Sequence, residues 1–199
     1  MAGNTKKTKT AQIYRKFEDT NRLMIEVALD NYEDMFSEWD PAPFKRRAID
    51  PDLRTFLEEC SEEISIRHKI AIAFFIPKAE IDPEKQLKCE EGLRNFFQFN
   101  HYLAEKELKA SRKSALKYFM FGAAFLAIAV TFERALEANV LFGIFGQGLF
   151  IGGWVFLWEA LSLLAFKNLE LVYAIKEWER FLDAPIVFKK ERKPDQVLE

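Results

Sequence analysis

The sequence predicts an α+β membrane protein: a two-helix transmembrane hairpin attached to a small cytosolic domain of β-α-β type with long helices. Three observations lead there. Charge almost vanishes from residues 118–166, which carry only Arg134 against Glu133, Glu137 and Glu159. Two strand-patterned segments flank a helix with a complete start signal. Apolar-striped helices lead into and out of the charge-poor block. The chain has 199 residues, enough for one domain and an appendage. Its net charge of −2 averages segments of opposite character, since 29 Lys+Arg nearly cancel 31 Asp+Glu.

Residues 1–22 hold six basic and two acidic residues and are expected to form a disordered basic tail; weak contact with anionic lipid is the alternative. The opening has no apolar core of the signal-peptide kind, so the first span is expected to direct insertion itself. The cytosolic domain is expected over residues 23–114. Ile25, Val27 and Leu29 alternate with Met24, Glu26 and Ala28, which is strand period. Asp50-Pro51 supplies an N-cap and a proline at the first helical position, with Leu53, Phe56, Leu57 and Cys60 as the expected buried stripe. A second strand places Ile70, Ile72, Phe74 and Ile76 on one face, Ala71, Ala73 and Phe75 on the other, and ends at Pro77. Apolar residues on both faces predict a strand covered on both sides or central in its sheet. Strand, crossover helix and strand in sequence predict a parallel pair.

The start signal recurs at Asp82-Pro83. From there only Gly92 interrupts a helical pattern carrying Leu93, Phe96, Phe97, Leu103 and Ala110, so one helix is expected to run into the first span or to bend back at Gly92. A bilayer core of about 30 Å needs about 20 apolar residues. Spans are therefore expected over 115–135, with Lys117 snorkelling, and over 140–160, joined by a turn near residues 133–139. Lys109, Arg112, Lys113 and Lys117 precede the first span and Lys167 follows the second, which predicts both termini on the cytoplasmic side. These four cations also form a basic stripe at lipid headgroup level. A pair between Lys117 and Glu159 is expected across the hairpin. Gly148 and Gly152 form a GxxxG for close helix packing, either against Gly122, Ala123 and Ala127 or in self-association. Over 161–190 a striped helix with Leu171, Ala174, Ile175, Trp178, Phe181 and Leu182 is expected to pack on the domain, with Lys176, Glu177, Glu179 and Arg180 mostly opposite. A C-terminal edge strand at residues 186–188 and a charged tail over 191–199 complete the chain.

The segment from Ser37 to Arg47 is the most unusual. Pro41 and Pro43 hold it extended, Trp39 and Phe44 offer stacking surface, and Lys45, Arg46 and Arg47, with Asp40 nearby, offer anion contacts. It is either a ligand or partner site or a loop whose aromatics plug the core. Glu58, Glu59, Glu62 and Glu63 meet those cations, form a docking surface, or are solvated. Cys60 and Cys89 are expected as small, partly buried thiols. His68 and His101 give no metal-ligand spacing, and no cofactor is expected. No nucleophile or phosphate-binding loop stands out, so an enzyme is not expected.

The order of these motifs resembles a family of uncharacterised bacterial membrane proteins over residues 23–190. The likeness rests on the N-terminal strand, a DP.P(F/Y)..R segment matching Asp40-Pro41-Ala42-Pro43-Phe44-Lys45-Arg46-Arg47, the strand ending in proline, the basic helix entering a hairpin, and a GGW..LW span matching Gly152-Gly153-Trp154-Val155-Phe156-Leu157-Trp158. Where that family has arginine and proline after the second tryptophan, this chain has Glu159-Ala160. The resemblance implies the bacterial inner membrane and carries no assigned activity. Two function classes follow as expectations: a non-enzymatic inner-membrane protein whose cytosolic domain is an interaction or self-assembly module, or a ligand-gated, membrane-perturbing, pore-like effector sensing an anionic small molecule. The expected partners are membrane lipids, a second copy in a homo-oligomer, and a cytosolic or membrane protein; nucleic acid is not expected.

Overall fold

The computed structural model describes residues 14–17, 20–37, 40, 48–77, 81–135 and 140–190, with backbone alone over 132–135 and 140–142. The chain divides into two compact units, Met1–His101 with Lys176–Glu199, and Tyr102–Ile175.

The first unit is organised by a three-stranded parallel sheet in the order β1-β2-β3, with β1 at Leu23–Ala28, β2 at Ile70–Ile76 and β3 at Ile186–Lys190. Ile25 stands opposite Ile72, and Phe74 opposite Phe188. The two-sided apolar pattern of β2 has its explanation here: β2 is the central strand, buried throughout except for half-buried Phe75. A parallel neighbour demands a crossover. Between β1 and β2 the crossover contains helix α1, Pro51–Glu63; between β2 and β3 it is everything from Pro77 to Pro185.

α1 begins as the sequence predicts, with Asp50 Oδ1 accepting from the backbone N–H groups of Asp52 (2.9 Å) and Leu53 (3.2 Å). Its buried face differs from the expected stripe. Leu53, Leu57 and Ser61 are buried, and Ile64 just beyond the helix continues them, while Phe56 is exposed and Cys60 half-buried. Leu53, Leu57 and Ser61 follow a four-residue step, which leaves Phe56 about 100° to one side of Leu57.

Asp82 Oδ1 caps α2, Pro83–Ala135, by accepting from the N–H groups of Glu84 and Lys85. The helix passes through Gly92 without interruption for 53 residues. Cys89, Leu93 and Phe97 are buried; Leu103 and Ala110, expected in the same stripe, are exposed because the buried face continues through Ala104 and Leu108 instead. The last helix, α4 at Asn168–Asp183, buries Trp178 and Phe181. Phe97 stacks on Phe181 at 5.1 Å, and Trp178 lies against Phe96, Phe97 and Phe181.

The tail expected over residues 1–22 is corrected within the described residues. Met24 N–H bonds to the Arg15 carbonyl at 2.8 Å, Lys16 bridges Leu23, and Phe17 packs with Met24, Ala71 and Ala73 under Lys189. Tyr14 donates its hydroxyl proton to Glu63 at 2.7 Å. Two adjacent charges, Arg15 and Lys16, conceal this segment in the sequence, because its anchors, Tyr14 and Phe17, make their contacts with residues distant in the chain. At the start of the strands, Asp183 accepts from Lys69 (3.0 Å) and Arg22 (3.2 Å), and Arg22 also reaches the Ile70 carbonyl. The Lys69 ammonium and Arg22 guanidinium lower the Asp183 pKa. Stability from this group is present above the unfolded value and is lost as pH falls through the depressed one.

Replacing Asp50 with alanine removes the side-chain acceptor that caps the α1 start. It is expected to cost about 1 kcal/mol in chemical denaturation of the detergent-solubilised protein.

Candidate functional site

The second unit, Tyr102–Ile175, contains the later part of α2, helix α3 at Val140–Ser162, a π-helical turn at Leu163–Lys167 and the start of α4. Its helices meet along small residues. Ala115, Gly122 and Ala129 are seven apart on α2, and Gly153 and Ala160 are seven apart on α3; all are buried. A Cβ on Gly122 would sit 2.8 Å from Leu157 Cγ and 2.9 Å from the Gly153 carbonyl oxygen, and one on Gly153 would sit 2.8 Å from Leu126 Cγ. Backbone meets backbone at this point because neither residue has a side chain. Phe156 fills the seam beside it, against Tyr118, Phe121 and Phe125.

Two expectations are corrected by this register. Gly148 faces open space, and Gly152 makes only ordinary contact with Phe125, so the GxxxG pair is not where the helices approach; Ala123 and Ala127 are exposed. Among the described residues Lys117 and Glu159 form no ion pair, and both are exposed. Lys117 follows Ala115 by two residues, about 200° round the helix, and so points away from the seam. Among the described residues, Lys167 pairs with Glu107 across the two arms at 3.0 Å, and the glutamate raises the lysine's pKa.

Beyond Ala160 the seven-residue spacing lengthens to eight, and the next buried position is Asn168. The π-helical turn accommodates the extra residue, with the Asn168 N–H bonded to the Leu163 carbonyl. Large apolar side chains lie outside: Leu116, Met120, Ile144, Ile151, Val155 and Trp158 are 60–69% exposed. Helices over Pro83–Thr131 and Gly143–Asp183 are long and apolar enough to cross a membrane. Lys109, Arg112, Lys113 and Lys117 are all exposed, Lys109 lying 3.5 Å from Glu105.

Of the expected binding segment, Trp39, Phe44, Lys45, Arg46 and Arg47 lie outside the described residues. Its stem is described: Phe36 bridges Ile49, Ser37 N–H bonds to the Ala48 carbonyl at 2.8 Å, and Asp40 accepts from the Ala48 N–H at 2.8 Å. Asp40 thus closes the base of the loop. A small apolar niche in the first unit, lined by Ile49, Leu57, Phe96 and Trp178, is bordered by Arg54, which pairs with Glu58 and stacks over Phe96. Burial pushes the Cys89 thiol up to about 12 and raises that of Cys60. Neither thiol ionises appreciably near neutral pH.

Sequence reasoning missed one polar centre. Arg180, expected opposite the apolar stripe, is 8% exposed. Its guanidinium donates to the Ser61 carbonyl (2.5 Å) and hydroxyl, the Ile64 carbonyl (3.1 Å) and the Ser65 carbonyl (3.2 Å). It thereby satisfies carbonyls at the α1 C-terminus, where the helix dipole favours a cation. Ser61 in turn donates to Glu177 at 2.6 Å. Burial raises the Glu177 pKa, opposed by the Ser61 hydrogen bond and Arg180 and reinforced by Glu62 and Glu58. The one available sequence signal was Ser61 on the buried face of α1.

Comparison with known protein families, curated proteins and solved structures finds no match to this chain.

Three outcomes are expected from these contacts. Gly122→Ala should destabilise the hairpin by about 1–3 kcal/mol, whereas Gly148→Ala should stay within about 0.5 kcal/mol, in thermal unfolding in detergent. Arg180→Ala, which leaves buried carbonyls without their donor, should cost about 3 kcal/mol or more. Because the folded Glu177 pKa is raised, the carboxyl contributes most stability below its unfolded pKa and loses it as pH rises through the folded value. Glu177→Gln should therefore raise the melting temperature at pH 7, with the gain over the parent vanishing near pH 4.

Proposed function

We propose that this chain is a non-enzymatic integral protein of the bacterial cytoplasmic membrane. Residues 115–135 and 140–160 cross the bilayer, both termini are cytoplasmic, and the first unit serves as a cytosolic interaction or self-assembly module. The observation that carries this reading is topological. β2 lies before the hairpin and β3 after it, yet the two strands pair, so both ends of the hairpin belong to one folded unit. Two crossings satisfy that requirement and one does not. The inverted arrangement of the hairpin, with glycine and alanine inside and large apolar side chains outside, suits a lipid solvent. The exposed cations before the first span and Lys167 after the second favour the cytoplasm for both ends. The effector alternative, in which Lys45, Arg46 and Arg47 sense an anionic ligand, predicts toxicity and dye entry on overexpression that depend on those three cations.

Carbonate-washed membranes should retain the protein; release into the soluble fraction overturns the reading. In a Cys60→Ala, Cys89→Ala background, an impermeant maleimide applied to intact cells stripped of their outer membrane should label Glu137→Cys and spare Lys113→Cys. The reverse pattern overturns the orientation.

A further inference from the structure

Tyr14 and Phe17 hold the start of the first unit against α1 and the sheet. Phe17 N–H bonds to the Arg22 carbonyl at 2.9 Å and Met24 N–H to the Arg15 carbonyl at 2.8 Å, so this segment lies antiparallel to β1. Read backwards from Phe17 to Tyr14, the chain therefore advances toward the far end of β1. α1 runs the other way, because a crossover helix must return from the far end of β1 to the start of β2. Tyr14 meets Glu63 in the last turn of α1, and the residues before Tyr14 head toward its first turn. Along that path Asp52, Phe56, Glu59 and Glu63 fall within about 60° of one another on the helix, over a length of about 16 Å. All four are exposed, Phe56 by 43%. Glu59 and Glu63 form a like-charged pair one turn apart, which a cation beside them relieves.

We propose that this flank of α1 is the docking site of the chain's own basic arm, residues 6–13. The arm carries Lys6, Lys7 and Lys9 with no acidic residue, and it reaches the flank in continuity with the Tyr14–Glu63 contact. At about 3.3 Å per extended residue Lys9 comes level with Asp52, and a less extended arm moves Lys9 toward Glu59 and Lys7 into its place. Ala11 and Ile13 are the apolar residues that cover Phe56. Anionic lipid has the wrong sign for this flank. The same arm from a second copy must compete with one already tethered at Tyr14, whose effective concentration is on the order of millimolar. These contacts lie within the first unit and do not depend on a bilayer. A seated arm withholds its lysines from anionic lipid and closes the flank to other basic segments.

The test uses the full chain in neutral detergent and compares trypsin cleavage after Lys9 with that of a free peptide of residues 1–14 in the same buffer. At low salt the protein is expected to be cut severalfold more slowly than the peptide. The difference should close at about 1 M salt, where the screening length falls to about 3 Å. It should also close at low salt in Asp52→Asn/Glu59→Gln, while the control Glu170→Gln keeps the protection. Carbodiimide crosslinking of a mixture of nitrogen-15-labelled and unlabelled protein should join Lys6, Lys7 or Lys9 to Asp52 or Glu59 of the same chain. A protein cut as fast as the peptide overturns the proposal, as does protection that neither salt nor Asp52→Asn/Glu59→Gln relieves. Crosslinks of mixed isotope mark a second copy as the occupant and overturn it too. Protection that appears only in vesicles containing phosphatidylglycerol, and not in neutral detergent, assigns the arm to lipid and has the same consequence.

Discussion

Parallel pairing of β2 with β3 is the constraint on which the other features depend. Parallel neighbours cannot be joined by a tight turn, so the chain must leave the sheet at Pro77 and return to the opposite end of it at Ile186. In most domains a single helix makes that passage. Here the passage includes the whole hairpin, and the first unit cannot complete its sheet until the chain has gone out along α2 and come back along α4. The clip formed by Arg22, Lys69 and Asp183 lies at the start of these strands and ties the returning chain to residues from before the hairpin.

The two units solve the packing problem in opposite ways. In the first, large side chains such as Tyr32, Phe74, Phe97 and Phe181 are fully buried, and charged residues occupy the surface. In the second, Gly122 and Gly153 bring the helices together and tryptophans, phenylalanines and isoleucines face outward. The hydrophobic effect drives the first arrangement; the second is one that a hydrocarbon solvent would favour, where close backbone approach and dispersion remain. Gly122 and Gly153 must both lack a side chain for the same contact, so their absence of Cβ is a shared geometric requirement.

Arg180 shows how a polar group holds the first unit to one arrangement. Its acceptors are backbone carbonyls at the end of α1, so it senses the position of that helix end and not merely the presence of apolar surface. Burying a guanidinium is costly unless its donors are met, which makes the orientation of α4 against α1 specific. Glu177 adds an acidic partner to Ser61 within the same contact, close to Glu58 and Glu62, and bears the desolvation that raises its pKa.

The sequence by itself determined what depends on short range: the caps at Asp50 and Asp82, the strand periods around Ile25 and Ile72, the apolar lengths over 118–132 and 138–158, and the cations before the first apolar run. Each of these rests on residues a few positions apart, or on composition over one bilayer thickness. The tertiary structure alone decided which face of each helix lies inside. A helical stripe leaves several residues within one turn as candidates, and the neighbour selects among them: Leu57 and Ser61 over Phe56, Ala104 over Leu103, Gly153 over Gly148. It also decided the burial of Arg180, whose acceptors are 115 to 119 residues away, and the ordering of Phe17 against Met24, Ala71 and Ala73. Such contacts have no local signature, because the free energy that favours them belongs to both partners and arises only when the chain brings them together.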